Sequence, residues 1–87
     1  MIMAIHHKVA EFTKWRPAFD EHEQTRAAAG ITNGKIYQSK DDPNDVVILF
    51  DVADVQKAKA FSQSQDLKAK MQTAGVVGQP EILFQPQ

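Results

Sequence analysis

Val46-Val47-Ile48-Leu49-Phe50 is apolar at every position. A strand turns successive side chains to opposite faces of its sheet, so an uninterrupted apolar run asks for cover on both sides. A sheet with helices on one face leaves either Val47 and Leu49, or Val46, Ile48 and Phe50, facing water. Contiguous exposed apolar surface of that kind marks an interface. This segment therefore predicts a strand with helices on one side and a partner on the other.

The flanking sequence supplies the other elements. Residues 1–9 read as a strand, with Met1, Met3, Ile5, His7 and Val9 on its more apolar face and Ile2, Ala4, His6 and Lys8 on the other. Residues 11–29 read as one helix, bent near its start by Pro17 and stopped by Gly30. A second strand covers residues 31–39. Asn33-Gly34 has hairpin chemistry, but the helix before it leaves no partner strand, so a bulge is expected. Residues 40–45 form a turn rich in Asx residues around Pro43. Asp54 caps a short helix through Phe61, and Ser62 with Gln65 matches a capping box for another segment. That segment aligns Leu67, Met71 and Ala74 and ends at Gly75. Residues 76–80 are read as a connector, and residues 81–85 as a last short strand.

The order β-α-β-β-α-(α)-β, in one domain over residues 1–87, predicts an α+β ferredoxin-like sandwich. Its four-stranded antiparallel sheet carries the helices on one face, with the first and third strands central. The open face is expected to pack on a second copy as a homodimer.

Composition narrows function by exclusion. Ten basic and eleven acidic residues provide no cationic surface for nucleic acid or anionic membrane. No apolar run approaches the roughly 18 residues of a spanning helix, and the N-terminus lacks signal-peptide organisation. A soluble cytoplasmic protein is expected. The absence of cysteine excludes disulfides, Cys-ligated zinc and thiolate nucleophiles. It also excludes a two-cysteine metal chaperone. The third strand lacks the basic-Gly-aromatic pattern of an RNA-recognition domain. Lys8-Val9-Ala10-Glu11-Phe12 is not the Gly-rich phosphate loop of an acylphosphatase. A small regulatory ligand-binding domain of the amino-acid-sensing kind stays open.

The first helix holds the most informative chemistry. Phe12, Trp15, Phe19, His22 and Arg26 fall within a sector of about 80° at helical spacing. An aromatic stripe thus ends in a histidine and an arginine. His22 could serve as a general base, because imidazole titrates near neutrality. Arg26 could hold an anionic or enolate oxygen. The structural alternative is a half-buried His22 bonded to backbone, with Arg26 serving the helix end. Trp15 could wall a ligand or simply fill the core. His7 should face the helices, toward His22, and His6 the open face. No acidic ligand accompanies His7 and His22 at a suitable spacing, so no metal is expected. Asn33, Lys35 and Tyr37 share one strand face, while Asp41, Asp42 and Asp45 read as turn residues.

Four local patterns accompany the element order: Phe12-Thr13-Lys14-Trp15, Phe19-Asp20-Glu21-His22, Asp42-Pro43-Asn44-Asp45 and Ala60-Phe61-Ser62-Gln63-Ser64. With them the chain resembles, over nearly its whole length, the small proteins of the antibiotic-biosynthesis-monooxygenase superfamily. The resemblance implies a dimeric α+β barrel with a pocket between helices and sheet. It also implies a small organic substrate and cofactor-independent monooxygenase or cyclase/isomerase chemistry, with no cofactor. Oxygenases of that superfamily hold substrate with an asparagine, a tryptophan and sometimes a histidine or arginine. Asn33 and Trp15 have those types, and Tyr37 and His7 complete the expected substrate-binding set. The spacing of Trp15, His22 and Asn33 departs from the Asn-Trp-His set of the haem-degrading members. The alternative function is a non-catalytic small-ligand-binding or interaction module with the same dimer.

Overall fold

The computed structural model describes residues 1–86. Along the chain come β1 (Ile2–Val9), α1 (Phe12–Glu21), α2 (Glu23–Ala28), β2 (Ile31–Gln38), β3 (Asp45–Val52), α3 (Val55–Ser62), α4 (Gln65–Thr73) and β4 (Val76–Phe84). The sheet order is β2-β3-β1-β4, and every neighbouring pair is antiparallel. This is the ferredoxin-like α+β arrangement, with β1 and β3 in the centre.

The two-sided apolar run lies on β3. Val46, Ile48, Phe50 and Val52 are buried, together with Met3 and Val9 of β1, Ile31, Trp15 and Ala58. Burying one such aliphatic or aromatic side chain is worth about 1.5–3 kcal/mol, so this layer holds the helices to the sheet. Val47 and Leu49 point the other way. Leu49 is registered between Ala4 and Lys35, and Val47 between His6 and Tyr37.

The first helix is not continuous. It breaks at His22, which ends α1 and opens α2 with φ −89° and ψ 5°. The His22 N–H bonds the Phe19 carbonyl at 3.2 Å, a tightened i→i+3 contact. Arg26 donates from Nη1 to the same carbonyl at 2.8 Å. The side chain of Arg26 thus helps satisfy a carbonyl at the break, an arrangement that the helical spacing alone does not reveal. Pro17 lies inside α1. The first N–H of α1 is capped from afar: Phe12 donates to Asn44 Oδ1, on the β2–β3 turn, at 2.9 Å.

Other boundaries shift for local reasons. Ser64, not Ser62, caps α4, its side chain accepting from the Leu67 N–H. Ser62 closes α3 and gives its hydroxyl to the Lys59 carbonyl. Asp54 caps α3 as expected, accepting from Gln56 and Lys57. Residues 76–80 belong to β4 rather than to a connector. They pair with β1 through an irregularity between His6 and Lys8, where Gly78 takes φ +73°. Backbone pairing there depends on register rather than on apolar content, which is why the segment lacked a strand pattern.

The Asn33-Gly34 bulge is present, as a register shift between Thr32 and Lys35 with Asn33 at φ 55°. Gly34 is required by a close approach: a Cβ there would lie 2.8 Å from Phe50 Cε1.

Candidate active site between the helices and the sheet

A cavity of ≈ 530 Å³ separates the helices from the covered face of the sheet. β1 supplies its floor with Met3, Ile5 and His7, alternate residues on one strand face. Trp15 and Phe19 of α1 form one wall, and Phe61, Leu67 and Met71 of α3 and α4 form another. The aromatic rings are in register: Trp15 lies 4.9 Å from Phe19 and 5.6 Å from Phe12, and Phe19 stacks on Phe50 at 6.0 Å.

His7 and His22 are the polar exceptions. They are only 7% and 9% exposed, respectively. Nδ1 of His7 and Nε2 of His22 are buried with no hydrogen-bond partner among the described residues. Leaving such an atom unpaired costs about 1–3 kcal/mol, so two at one cavity mark it as unlike ordinary core. The His7 ring meets Trp15 edge-on, with centroids 5.5 Å apart, and the His22 ring lies 6.3 Å from Phe61. Burial lowers the pKa of both imidazoles from 6.5. For His22 the charges of Lys70 and Arg26 act in the same direction, and the Asp66 carboxylate opposes them. Both rings are therefore neutral at pH 7, each with one nitrogen able to accept a proton.

Arg26 reaches the cavity from α2. Its guanidinium carbon sits 3.9 Å from the Phe19 ring centroid and 5.6 Å from that of Phe50. Burial lowers its pKa, but a guanidinium stays cationic. One of its five N–H groups is committed to the Phe19 carbonyl.

His7, Trp15, His22 and Arg26 thus line a single cavity. Asn33 and Tyr37 do not join them. Tyr37 is registered against Val47 on the open face and is 51% exposed. Asn33, on the bulge, donates to the Asp51 carboxylate at 2.8 Å. His6 also faces the open side, with Nε2 2.7 Å from Asp45 Oδ1. The cavity residues of α3 and α4, including Phe61, Asp66 and Lys70, were not anticipated. The spacing of Leu67, Met71 and Ala74 was visible as an apolar face, but nothing local tied Lys70 to His22. Among the described residues, no group of three or more His, Cys, Asp or Glu side chains could hold a metal ion. No helix there is long and apolar enough to cross a membrane.

Solved structures share this architecture closely. A candidate antibiotic biosynthesis monooxygenase from Bordetella bronchiseptica superposes with a TM-score of 0.75 at 15% identity, covering 99% of this chain and 95% of its own. SnoaB, a cofactor-independent oxygenase from Streptomyces nogalater, gives 0.70 at 11% identity, with 99% and 92% covered. This chain has the antibiotic biosynthesis monooxygenase fold. A further candidate monooxygenase, from Caulobacter crescentus, gives 0.69 at 18% identity, with 94% and 83% covered. At the level of sequence, neither a protein-family model nor a curated protein matches.

Proposed function

We propose that this chain is a cofactor-independent enzyme acting on a small organic molecule in the cavity between helices and sheet, as a monooxygenase or a cyclase/isomerase. The observation that carries this reading is that His7 and His22, each with a buried imidazole nitrogen unpartnered among the described residues, both line the cavity. A cavity of ≈ 530 Å³ lies within the range of about 300–1,000 Å³ that takes small ligands. His22, neutral at pH 7, is the base that removes a proton from an acidic C–H or O–H of the ligand. Arg26 stabilises the resulting oxyanion, and the partial burial of its guanidinium strengthens that attraction. An isomerase or cyclase returns the proton to another atom, whereas a monooxygenase presents the anion to dioxygen. One oxygen atom then enters the product and the other leaves as water with the two protons lost by the substrate, whose four-electron oxidation balances the reduction of dioxygen. Trp15 and His7 orient the ligand. The fold shared with SnoaB, itself a cofactor-independent oxygenase, supports the reaction class.

The same reading includes a homodimer through the open sheet face. Ala4, Val47, Leu49, Val77 and Leu83 form apolar surface there, with Val77 and Leu83 55% and 53% exposed. Light scattering at micromolar concentration should give the mass of two chains; a stable monomer would remove this part of the reading.

A thermal-shift screen with phenolic polyketide-like compounds, hydroxy-acids and lactones should identify ligands that raise the melting temperature, and these are then assayed for turnover. His22→Ala should lower turnover about 10²–10⁴-fold, the range of general-base catalysis, with the dimer retained. A ligand bound equally well by wild type and His22→Ala, and never converted, would instead favour the non-catalytic binding module.

A further inference from the structure

We propose that the cavity's ligand is an amphipathic organic anion, its apolar body between the Trp15–Phe19 wall and α4 and its anionic oxygen held by Lys70 and Arg26 beside His22. This rests on the reading of the cavity as a ligand site and names the ligand's chemistry.

Three observations converge on one end of the cavity. His22 presents a buried nitrogen with no partner. Arg26 and Lys70 both line the cavity, and among the described residues neither forms an ion pair. Arg26 uses a single hydrogen bond, to the Phe19 carbonyl, which leaves donors available for a ligand oxygen. Other lining residues are different in kind: Ile5, Leu67, Met71 and Ile82 supply only apolar surface.

Six charged or titratable side chains face this space: His7 from β1, Glu21 from α1, His22 between α1 and α2, Arg26 from α2, and Asp66 and Lys70 from α4. Their formal charges balance when the imidazoles are neutral, so the position of each matters more than the sum. At His22 the two cations outweigh the one carboxylate, Asp66, that opposes them. Lys70 and Arg26 both stand within electrostatic reach of His22. A ligand anion placed there pairs with Lys70 and Arg26 and takes their uncommitted N–H donors. A neutral ligand of the same shape gains the apolar contacts alone.

Lys70 is the residue that tests this, because it is exposed on α4 and its replacement leaves the core intact. Naphthoate and naphthamide share an apolar body and differ in charge. Calorimetric titration of the purified protein should give naphthoate about a tenfold tighter Kd than naphthamide, the scale of one charge-assisted hydrogen bond. Lys70→Gln should remove most of that preference with naphthamide unchanged, and Lys70→Arg should keep it. Ring resonances of His7 and His22 should shift as naphthoate is added. Equal affinities for the two compounds, or an equal loss of both in Lys70→Gln, overturn the anion assignment and leave the cavity as a ligand site. Binding of naphthoate that leaves both ring resonances unmoved also overturns it. Failure of both compounds to bind overturns the ligand site itself, and the anion with it.

Discussion

Ile48 and Leu49 are neighbours on β3 and experience opposite conditions. Ile48 is 1% exposed beneath the helices, and Leu49 lies on the face that no helix covers. The contrast extends across the sheet. On the open face the polar side chains satisfy one another, as His6 does with Asp45 and Asn33 with Asp51, while apolar side chains stand in water. On the covered face the apolar side chains are buried, while His7 and His22 each hold a nitrogen without a partner. An apolar surface that is unfinished calls for a protein surface against it. A polar site that is unfinished calls for a ligand with complementary donors and acceptors. One sheet thus separates a face with exposed apolar side chains from a face with unsatisfied polar atoms.

The largest expected effects come from exchanging the two neighbours' environments. Ile48→Ala should lower the free energy of unfolding by about 2–5 kcal/mol, because it opens a cavity in packed core. Urea denaturation measures the loss. Leu49→Lys should leave the far-ultraviolet circular dichroism intact and shift the sedimentation coefficient from dimer to monomer. Leu49→Lys that sediments as wild type would show that the open face has no partner, and the distinction between the faces would collapse.

A smaller effect separates shape from chemistry on the covered face. Gly34→Ala adds a Cβ 2.8 Å from the Phe50 ring, and Phe50 is backed by Phe19 at 6.0 Å. Overpacking of this kind costs about 1–3 kcal/mol. The pairing of Gly34→Ala with Phe50→Leu should recover part of the loss, since the smaller side chain frees the space. If the double variant shows no recovery in urea denaturation, the bulge itself, rather than the contact, requires glycine.

The sheet was legible in the sequence because period-two patterning acts locally. Met3, Ile5, His7 and Val9 declare one face of β1, and the apolar run of β3 declares both. The Asn33-Gly34 bulge was legible for the same reason, since a hairpin had no strand to pair with. The break at His22 was not, because it depends on the Phe19 carbonyl finding the Arg26 side chain seven residues on. Nor was the cap of α1, which comes from Asn44 across the fold. For the cavity, the stripe through Trp15, His22 and Arg26 identified one wall. Tyr37 lies on the opposite sheet face from that wall, and the bulge at Asn33-Gly34 interrupts the strand parity that had joined Asn33 to it. Lys70 reaches the cavity on a helix that is 44 residues from Arg26 in sequence, and no local pattern carries such a contact.

The smallest effect is also the one that links stability to function. The folded chain holds His7 and His22 with pKa values below 6.5, mainly through burial. In the unfolded chain both titrate near that ordinary value. Between the unfolded and folded pKa values the unfolded state binds more protons, so stability rises with pH across this window and is lost as pH falls below about 6.5. Above about pH 7.5 both states are neutral, and the contribution is flat. His7→Leu removes one of the two buried imidazoles and its unpartnered nitrogen. At pH 7.5 the variant should be more stable by about 1 kcal/mol, because it no longer buries an unsatisfied polar atom. Its decline between pH 7.5 and about 5.5 should be shallower than that of wild type. A site retained for chemistry predicts the opposite sign for ligand affinity: His7→Leu should bind the naphthoate probe more weakly while unfolding at higher urea. A variant that loses stability and keeps its affinity would assign His7 to the core, and the unfinished polar site would shrink to His22.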